Sequence, residues 1–405
     1  MSIKNNIKIL KLDDKGRGIG YTENKIIFIP NSLPNEIVDI EIIKETSKYC
    51  EGRVVNYIKV SNERIKPVCS NFGLCGGCNL LHTEYKNTID YKKNKVKNIL
   101  KKFANLELDI NIIENKNILY YRNKIDLKVE KGLWGYYNSN THNFVSIDKC
   151  FLAKESINNI ILNKNLINIK NGSIIIRSNY NDEILLSINS DEEVSVDINA
   201  LKNITKLVGI VINDNIFYGE SYFIEKYNDR VFKVNYNSFF QINEYITNQM
   251  INFLQENLNG NTLLDLYCGV GFLGQCVSDK FKKIYGIEIN KSSIIDATNN
   301  ARINNIDNTY YLCGDTSKVI DKIKDKIDVM IIDPPRTGLV KNMVDDVINI
   351  NASTLAYISC DPISLARDLN KLKEFYDIKK VFILDMFSYT YHIESIALLK
   401  KKNLI

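Results

Sequence analysis

Apolar and polar residues alternate with a period of two in short runs at the start of the chain: IKILKL, KIIFIP, IVDIEII and GRVVNYIKV, separated by turn signals such as DDKGRGIG and NSLPNE. Short alternating runs punctuated by Gly, Pro and Asn predict a small β-barrel over residues 1–60. The period then lengthens. Over YKNTIDYKKNKVKNILKKF (85–103), Tyr85, Ile89, Val96, Leu100 and Phe103 recur at helical spacing with lysines opposite, which predicts a helix with a packed stripe and a solvated basic face. Strand-like runs return over 120–235 (KIDLKVEKGLWGYY, GSIIIRS, EILLSIN, VGIVIN), so a central β-rich domain is expected over 61–235. From residue 236 onward, strand-length apolar runs (TLLDLY, KIYGIEI, IDVMIID, LAYISC) alternate with helix-length stretches. That rhythm predicts a mostly parallel, Rossmann-like sheet with helices on both faces over 236–405. The fold class is therefore multidomain α/β.

Composition narrows this picture. A hydrophobic content of 45% and a charged content of 25% suit packed domains. No apolar run approaches bilayer length and MSIKNNIKIL is not a signal peptide, so a cytoplasmic protein is expected, with no membrane partner. Nine cysteines then read as ligands, nucleophiles or buried thiols rather than disulfides. The net charge is +5, yet Lys86 to Lys102 alone holds seven lysines against Asp90. That helix is a candidate phosphate contact, weighed against a plain solvated face over a packed stripe.

Three features carry chemistry. CSNFGLCGGC brings Cys69, Cys75 and Cys78 into ten residues, as a metal or cluster loop does. DLYCGVGFLG (265–274) is a strand followed by a Gly-rich turn, with Glu288, Asp315 and Asp333 after successive later strands. Acids in that order mark the crevice of an open α/β sheet. The order D-x-x-x-G-x-G, G-x-E, D-P-P points away from nicotinamide dinucleotides and towards S-adenosylmethionine, and Arg336 after D-P-P argues against methylation of an exocyclic amine. Finally, TLAYISCD ends a strand on Cys360, and YHIES supplies Glu394 beside His392. A thiolate and a carboxylate are what carbon methylation of a pyrimidine requires. Addition of sulfur to C6 makes C5 nucleophilic, and a base must afterwards remove the C5 proton. Cys268, Cys276 and Cys313 read as core thiols of the α/β domain, and Cys50 stands isolated in the barrel.

These residues together resemble the RNA uracil-C5 methyltransferases, most closely the iron–sulfur type that acts on 23S ribosomal RNA. The resemblance runs through a TRAM-like barrel, CSNFGLCGGC, YRNK (121–124), SFFQIN (238–243), DLYCGVG, GIE, DPPRTG, SCDPISLARD and HIES. It implies Cys360 as nucleophile and Glu394 as base. It also implies Gln241, Tyr267, Glu288, Asp315 and Asp333 as contacts to S-adenosylmethionine. It further implies Cys69, Cys75, Cys78 and Cys150 as ligands of a [4Fe–4S] cluster, although four thiolates also suit zinc. The chain departs from the family pattern at Leu81 and at Asp361, where Asn is usual. Two rival functions stand beside 23S methylation. One is the same reaction on the tRNA T-loop, against which the resemblance sets the barrel and the cluster. The other is a non-catalytic RNA-binding or ribosome-assembly role, against which stands the presence of both Cys360 and Glu394.

Overall fold

The alternating runs at the start fold on themselves. In the computed structural model, whose described residues are 3–22, 25–138 and 142–403, six strands pair in the order Ile3–Lys8, Ile37–Glu45, Tyr49–Lys59, Lys25–Ile29, Gly18–Thr22, Lys11–Leu12. Along the first half of Ile37–Glu45 every second residue is buried. Ile27, Ile29, Val38 and Ile40 fill the interior, as period-two patterning requires.

A seven-stranded sheet follows, in the order Phe144–Ser146, Leu133–Tyr137, Lys124–Glu130, Gly172–Ser178, Glu183–Asn189, Lys206–Ile212, Asn215–Gly219. Helices Glu155–Leu162 and Ile198–Ile204 pack into its core through Ile157, Ile160, Ile161 and Leu201.

The third sheet has eight strands: Thr309–Cys313, Lys283–Glu288, Thr262–Leu266, Val329–Ile332, Thr354–Ser359, Glu394–Lys401, Tyr376–Leu384, Asn111–Ile113. The first five are parallel. Thr262–Leu266, Val329–Ile332 and Thr354–Ser359 are buried at every position, because both faces of the sheet are covered. Leu264, Met330, Ile332 and Tyr357 feed one core. Their neighbours Leu263, Val329, Ile331 and Ile358 feed the other. The chain order reverses between Thr262–Leu266 and Val329–Ile332, which is the switch point where such sheets bind ligands. The multidomain α/β architecture expected from the pattern is the one that forms. Among the described residues no helix is long and apolar enough to cross a membrane.

The basic segment forms the helix Tyr85–Ala104, closed by Asn105 in a left-handed conformation (φ 49°). It packs on the helix Pro362–Leu372, and its Val96, Ile99 and Leu100 join the core of the eight-stranded sheet. Asn111–Ile113 then extends that sheet beside Tyr376–Leu384, an edge strand too short for the pattern to reveal. Two expectations for this helix are corrected. Phe103, expected on the packed stripe, is 42% exposed near the helix end. Lys92, expected on the solvated face, is completely buried. Its position explains why: three residues after Ile89 and four before Val96, it lies on the stripe itself.

Candidate active site

Sheet register brings the proposed nucleophile and base together. Thr354–Ser359 pairs antiparallel with Glu394–Lys401, and Ser359 lies opposite Ser395. One step further along, Cys360 is therefore level with Glu394. Asp361 caps the helix Pro362–Leu372 by accepting from the Ser364 N–H at 2.9 Å, a role that Asn fills equally well. Glu394 is 7% exposed. Its carboxyl is pushed well above the usual range, first by burial and then by the charge of Asp333, with Arg336 opposing. Burial pushes Asp333 up to about 6. The half-buried Cys360 thiol is pushed up to about 11 by burial and by Glu394, with Asp333 adding to the rise and Arg336 working against it by charge and hydrogen bond. The four side chains form one electrostatic unit.

The second expected group lies at the switch point. Gln241, Tyr267 and Asp333 line one small cavity of about 50 Å³ with Phe239, Phe240 and Asp265. The loop after Thr262–Leu266 turns through left-handed Tyr267 (φ 63°), Gly269 and Gly271. At Gly271 a Cβ would sit 2.6 Å from both Gln275 Nε2 and Tyr311 Oη, so the turn needs glycine. Glu288 and Asp315 do not line this cavity. Glu288 stands next to it and accepts from the Gly269 N–H at 3.2 Å. Asp315 caps the helix Thr316–Val319 through Ser317. Asp265, a landmark of the Gly-rich turn in the sequence but not a predicted contact, is buried in the cavity wall. Its Oδ2 accepts from the Gly274 N–H at 3.0 Å, while Oδ1 has no partner. Burial pushes this carboxyl up to about 8. A cavity with a buried, unpartnered carboxyl oxygen fits a ligand that brings a positive or donor group. Phe239, also unpredicted, is 76% exposed at the same cavity.

The cysteine loop is held by short turns: the Phe72 N–H donates to the Cys69 carbonyl at 3.2 Å and the Cys75 N–H to the Asn71 carbonyl at 2.9 Å. Cys69, Cys78 and Cys150 pack around Leu81, Tyr121, Leu152 and Tyr389. Burial is the main cause that raises Cys69, Cys75 and Cys78, Cys75 to about 11, and the charge of Cys150 pushes each of them further. Four free thiols thus share one neighbourhood. Among the described residues no group of three or more His, Cys, Asp or Glu side chains is gathered closely enough to hold a metal ion. His82 beside the loop is fully buried against Phe72, with ring centroids 5.1 Å apart. Of the remaining cysteines, Cys268 and Cys276 are buried as expected and Cys50 is buried in the barrel, but Cys313 is exposed. It ends the edge strand Thr309–Cys313, which has a neighbouring strand on one side only.

A cleft of about 870 Å³ runs between the barrel, the cysteine loop and the loops that carry Arg336 and His392. Arg17 and Lys44 of the barrel, Cys75 and Cys78 of the loop, and Arg336 and His392 of the catalytic edge all face it. Its cationic lining suits a polyanion.

Comparison with known proteins agrees with this arrangement. The sequence profile of the tRNA (uracil-5-)-methyltransferases matches residues 84–402, and that of the TRAM domain matches 5–55. An uncharacterized RNA methyltransferase of Clostridium tetani is 31% identical, with 97% of this chain and 95% of the relative covered. Another from Fusobacterium nucleatum is 32% identical, with 98% and 95% covered. The solved structure of the Pyrococcus abyssi tRNA (uracil-54, C5)-methyltransferase with S-adenosyl-L-homocysteine superposes with a TM-score of 0.80. It is 24% identical and covers 97% of this chain and 99% of its own.

Proposed function

Since the chain belongs to the RNA uracil-5-methyltransferase family, with an N-terminal TRAM domain and S-adenosylmethionine as methyl donor, we propose that it methylates C5 of a uridine in 23S ribosomal RNA through a covalent bond to Cys360. The register that sets Cys360 level with Glu394, with Asp333 and Arg336 in electrostatic reach, carries this reading.

The Cys360 thiol loses its proton to solvent and sulfur adds to C6, pushing electrons towards the C4 carbonyl. C5 attacks the sulfonium methyl group, leaving neutral S-adenosylhomocysteine. Glu394 takes the C5 proton, the C5–C6 double bond re-forms, and the C6–S bond breaks to return the thiolate. Arg336 favours the thiolate, whereas burial and the two carboxyls oppose it. The positive charge of S-adenosylmethionine favours the ionised forms of acids around its cavity. Gln241, Tyr267 and Asp333 in the cavity wall, with Glu288 and Asp315 beside it, are assigned to binding it.

Resemblance to the iron–sulfur 23S enzymes supports the ribosomal substrate and a cytoplasmic site of action. The likeness to an enzyme described as acting on tRNA uracil-54 supports the second reading, tRNA. Because that enzyme matches nearly the whole chain, the barrel does not discriminate between the two. Labelled S-adenosylmethionine with unmodified 23S transcripts and tRNA transcripts in one tube decides between them. Label is expected in 23S rRNA, declining steeply as salt rises because phosphate contacts release counterions. Label confined to tRNA would replace the first reading with the second, and none in either would favour the non-catalytic role.

The thiols of Cys69, Cys75, Cys78 and Cys150 are assigned to a [4Fe–4S] cluster, with zinc as the alternative. Their chemistry suits either group, since a cation relieves the mutual repulsion of neighbouring thiolates, although among the described residues the four are not gathered closely enough to hold a metal ion. Protein purified without oxygen is expected to be brown, with absorbance near about 400 nm that Cys75→Ala abolishes. A colourless preparation containing zinc would reverse this assignment.

A further inference from the structure

The loop between Tyr376–Leu384 and Glu394–Lys401 leaves the sheet at Leu384, which pairs with Glu394, and returns at Glu394 itself, level with Cys360. It is tied down almost residue by residue. The Tyr121 hydroxyl donates to the Ser388 carbonyl at 3.0 Å, and the Asn79 and Leu80 N–H groups donate to the Tyr389 carbonyl at 3.1 Å. Lys95 Nζ reaches the Tyr391 carbonyl at 3.0 Å.

The first anchor differs from these in being a buried ion pair. Lys92 and Asp385 are both fully buried, with Nζ and Oδ1 2.6 Å apart. The same ammonium donates to the Phe387 carbonyl at 2.9 Å. Asp385 also accepts from the Tyr85 hydroxyl at 2.7 Å and from Ser388 Oγ at 2.6 Å. Such a pair is a poor source of net stability, because desolvation offsets the attraction, whereas its directional bonds fix geometry.

We propose that Lys92 is a positioning residue for proton removal: through Asp385 and the Phe387 carbonyl it fixes the loop that delivers Glu394 to the adduct. The inference rests on the assignment of Cys360 as nucleophile and Glu394 as base. It gives the lysine-rich helix a role beyond phosphate contact. Sulfur addition and methyl transfer precede the step that needs Glu394, so a misplaced loop arrests the reaction after methylation.

The test uses the full chain, labelled S-adenosylmethionine and a pool of unmodified 23S and tRNA transcripts. Two variants are compared with wild type and with Glu394→Gln: Lys92→Met, and Lys92→Met/Asp385→Asn. The double variant removes both charges, keeps an acceptor for Tyr85, and so avoids a stranded buried charge. Turnover is expected to fall about 10²-fold in both, the cost of a displacement of about 1 Å. Labelled protein–RNA adduct should meanwhile accumulate as in Glu394→Gln. On RNA containing 5-fluorouridine, whose C5 has no proton to lose, adduct should form at the wild-type rate. A double variant that turns over normally, or one that loses adduct on 5-fluorouridine RNA in proportion to turnover, would overturn the proposal. If Glu394→Gln itself accumulates no adduct, the base assignment fails, and the role of Lys92 fails with it.

Discussion

Cys360→Ala is expected to lower methyl transfer to RNA by about 10⁴-fold or more, with S-adenosylmethionine binding unchanged. C5 of uracil is a poor nucleophile until a group adds to C6, and the charged side chains that face Cys360 are poor substitutes for its sulfur. Arg336 is a cation and Asp333 and Glu394 are carboxyls held above their usual range by burial. Equilibrium dialysis with labelled cofactor separates the effect from a folding defect. The sign of the pH dependence also follows. The thiol is held up to about 11 and Glu394 well above the carboxylate range, and both act in their deprotonated forms. Single-turnover rates are therefore expected to rise from about pH 7 to about pH 9. A rate that falls with rising pH would remove the thiolate from the mechanism.

Glu394→Gln is expected to lower turnover by about 10²–10⁴-fold, the usual contribution of a positioned base. It should do so in a way Cys360→Ala cannot imitate. Glutamine keeps the shape of the side chain at the start of Glu394–Lys401 but cannot accept the C5 proton. The methylated intermediate should stay attached, visible as a labelled band that survives denaturation and shifts to near the mobility of the free protein on ribonuclease treatment. Normal turnover would move the base to another group, and Asp333, which shares its charge environment, would be the first to examine.

Much of this site was legible in the sequence because its parts fall where strands end. Asp333, Cys360 and Glu394 each stand at a break in an apolar run, and strand ends on one side of a parallel sheet converge. The level alignment of Cys360 with Glu394 was not legible. It follows from the antiparallel return of the last strand, a register that the sequence motifs do not encode. Lys92 was misread because a polarity pattern counts every lysine as outward, whereas its spacing from Ile89 and Val96 already placed it inward. Cys313 was misread for the opposite reason. Its strand is apolar enough for a core, but it lies at the sheet edge. Asn111–Ile113 escaped because a three-residue strand borrowed from a distant segment has no period to detect. Lys92 was thus readable from local spacing, whereas Cys313 and Asn111–Ile113 depend on long-range pairing that no local pattern carries.

The central claim is that Cys360, and no other sulfur, attacks the base. Nine cysteines make that a question with alternatives, among them the exposed Cys313 and the thiols at the cleft. The adduct trapped by Glu394→Gln can be digested with ribonuclease and protease and its peptides sequenced by mass spectrometry. A single modified peptide bearing a methylated uridylate on Cys360 is expected. A nucleotide on Cys75, Cys78 or Cys313, or one on Cys360 that carries no methyl group, would contradict it.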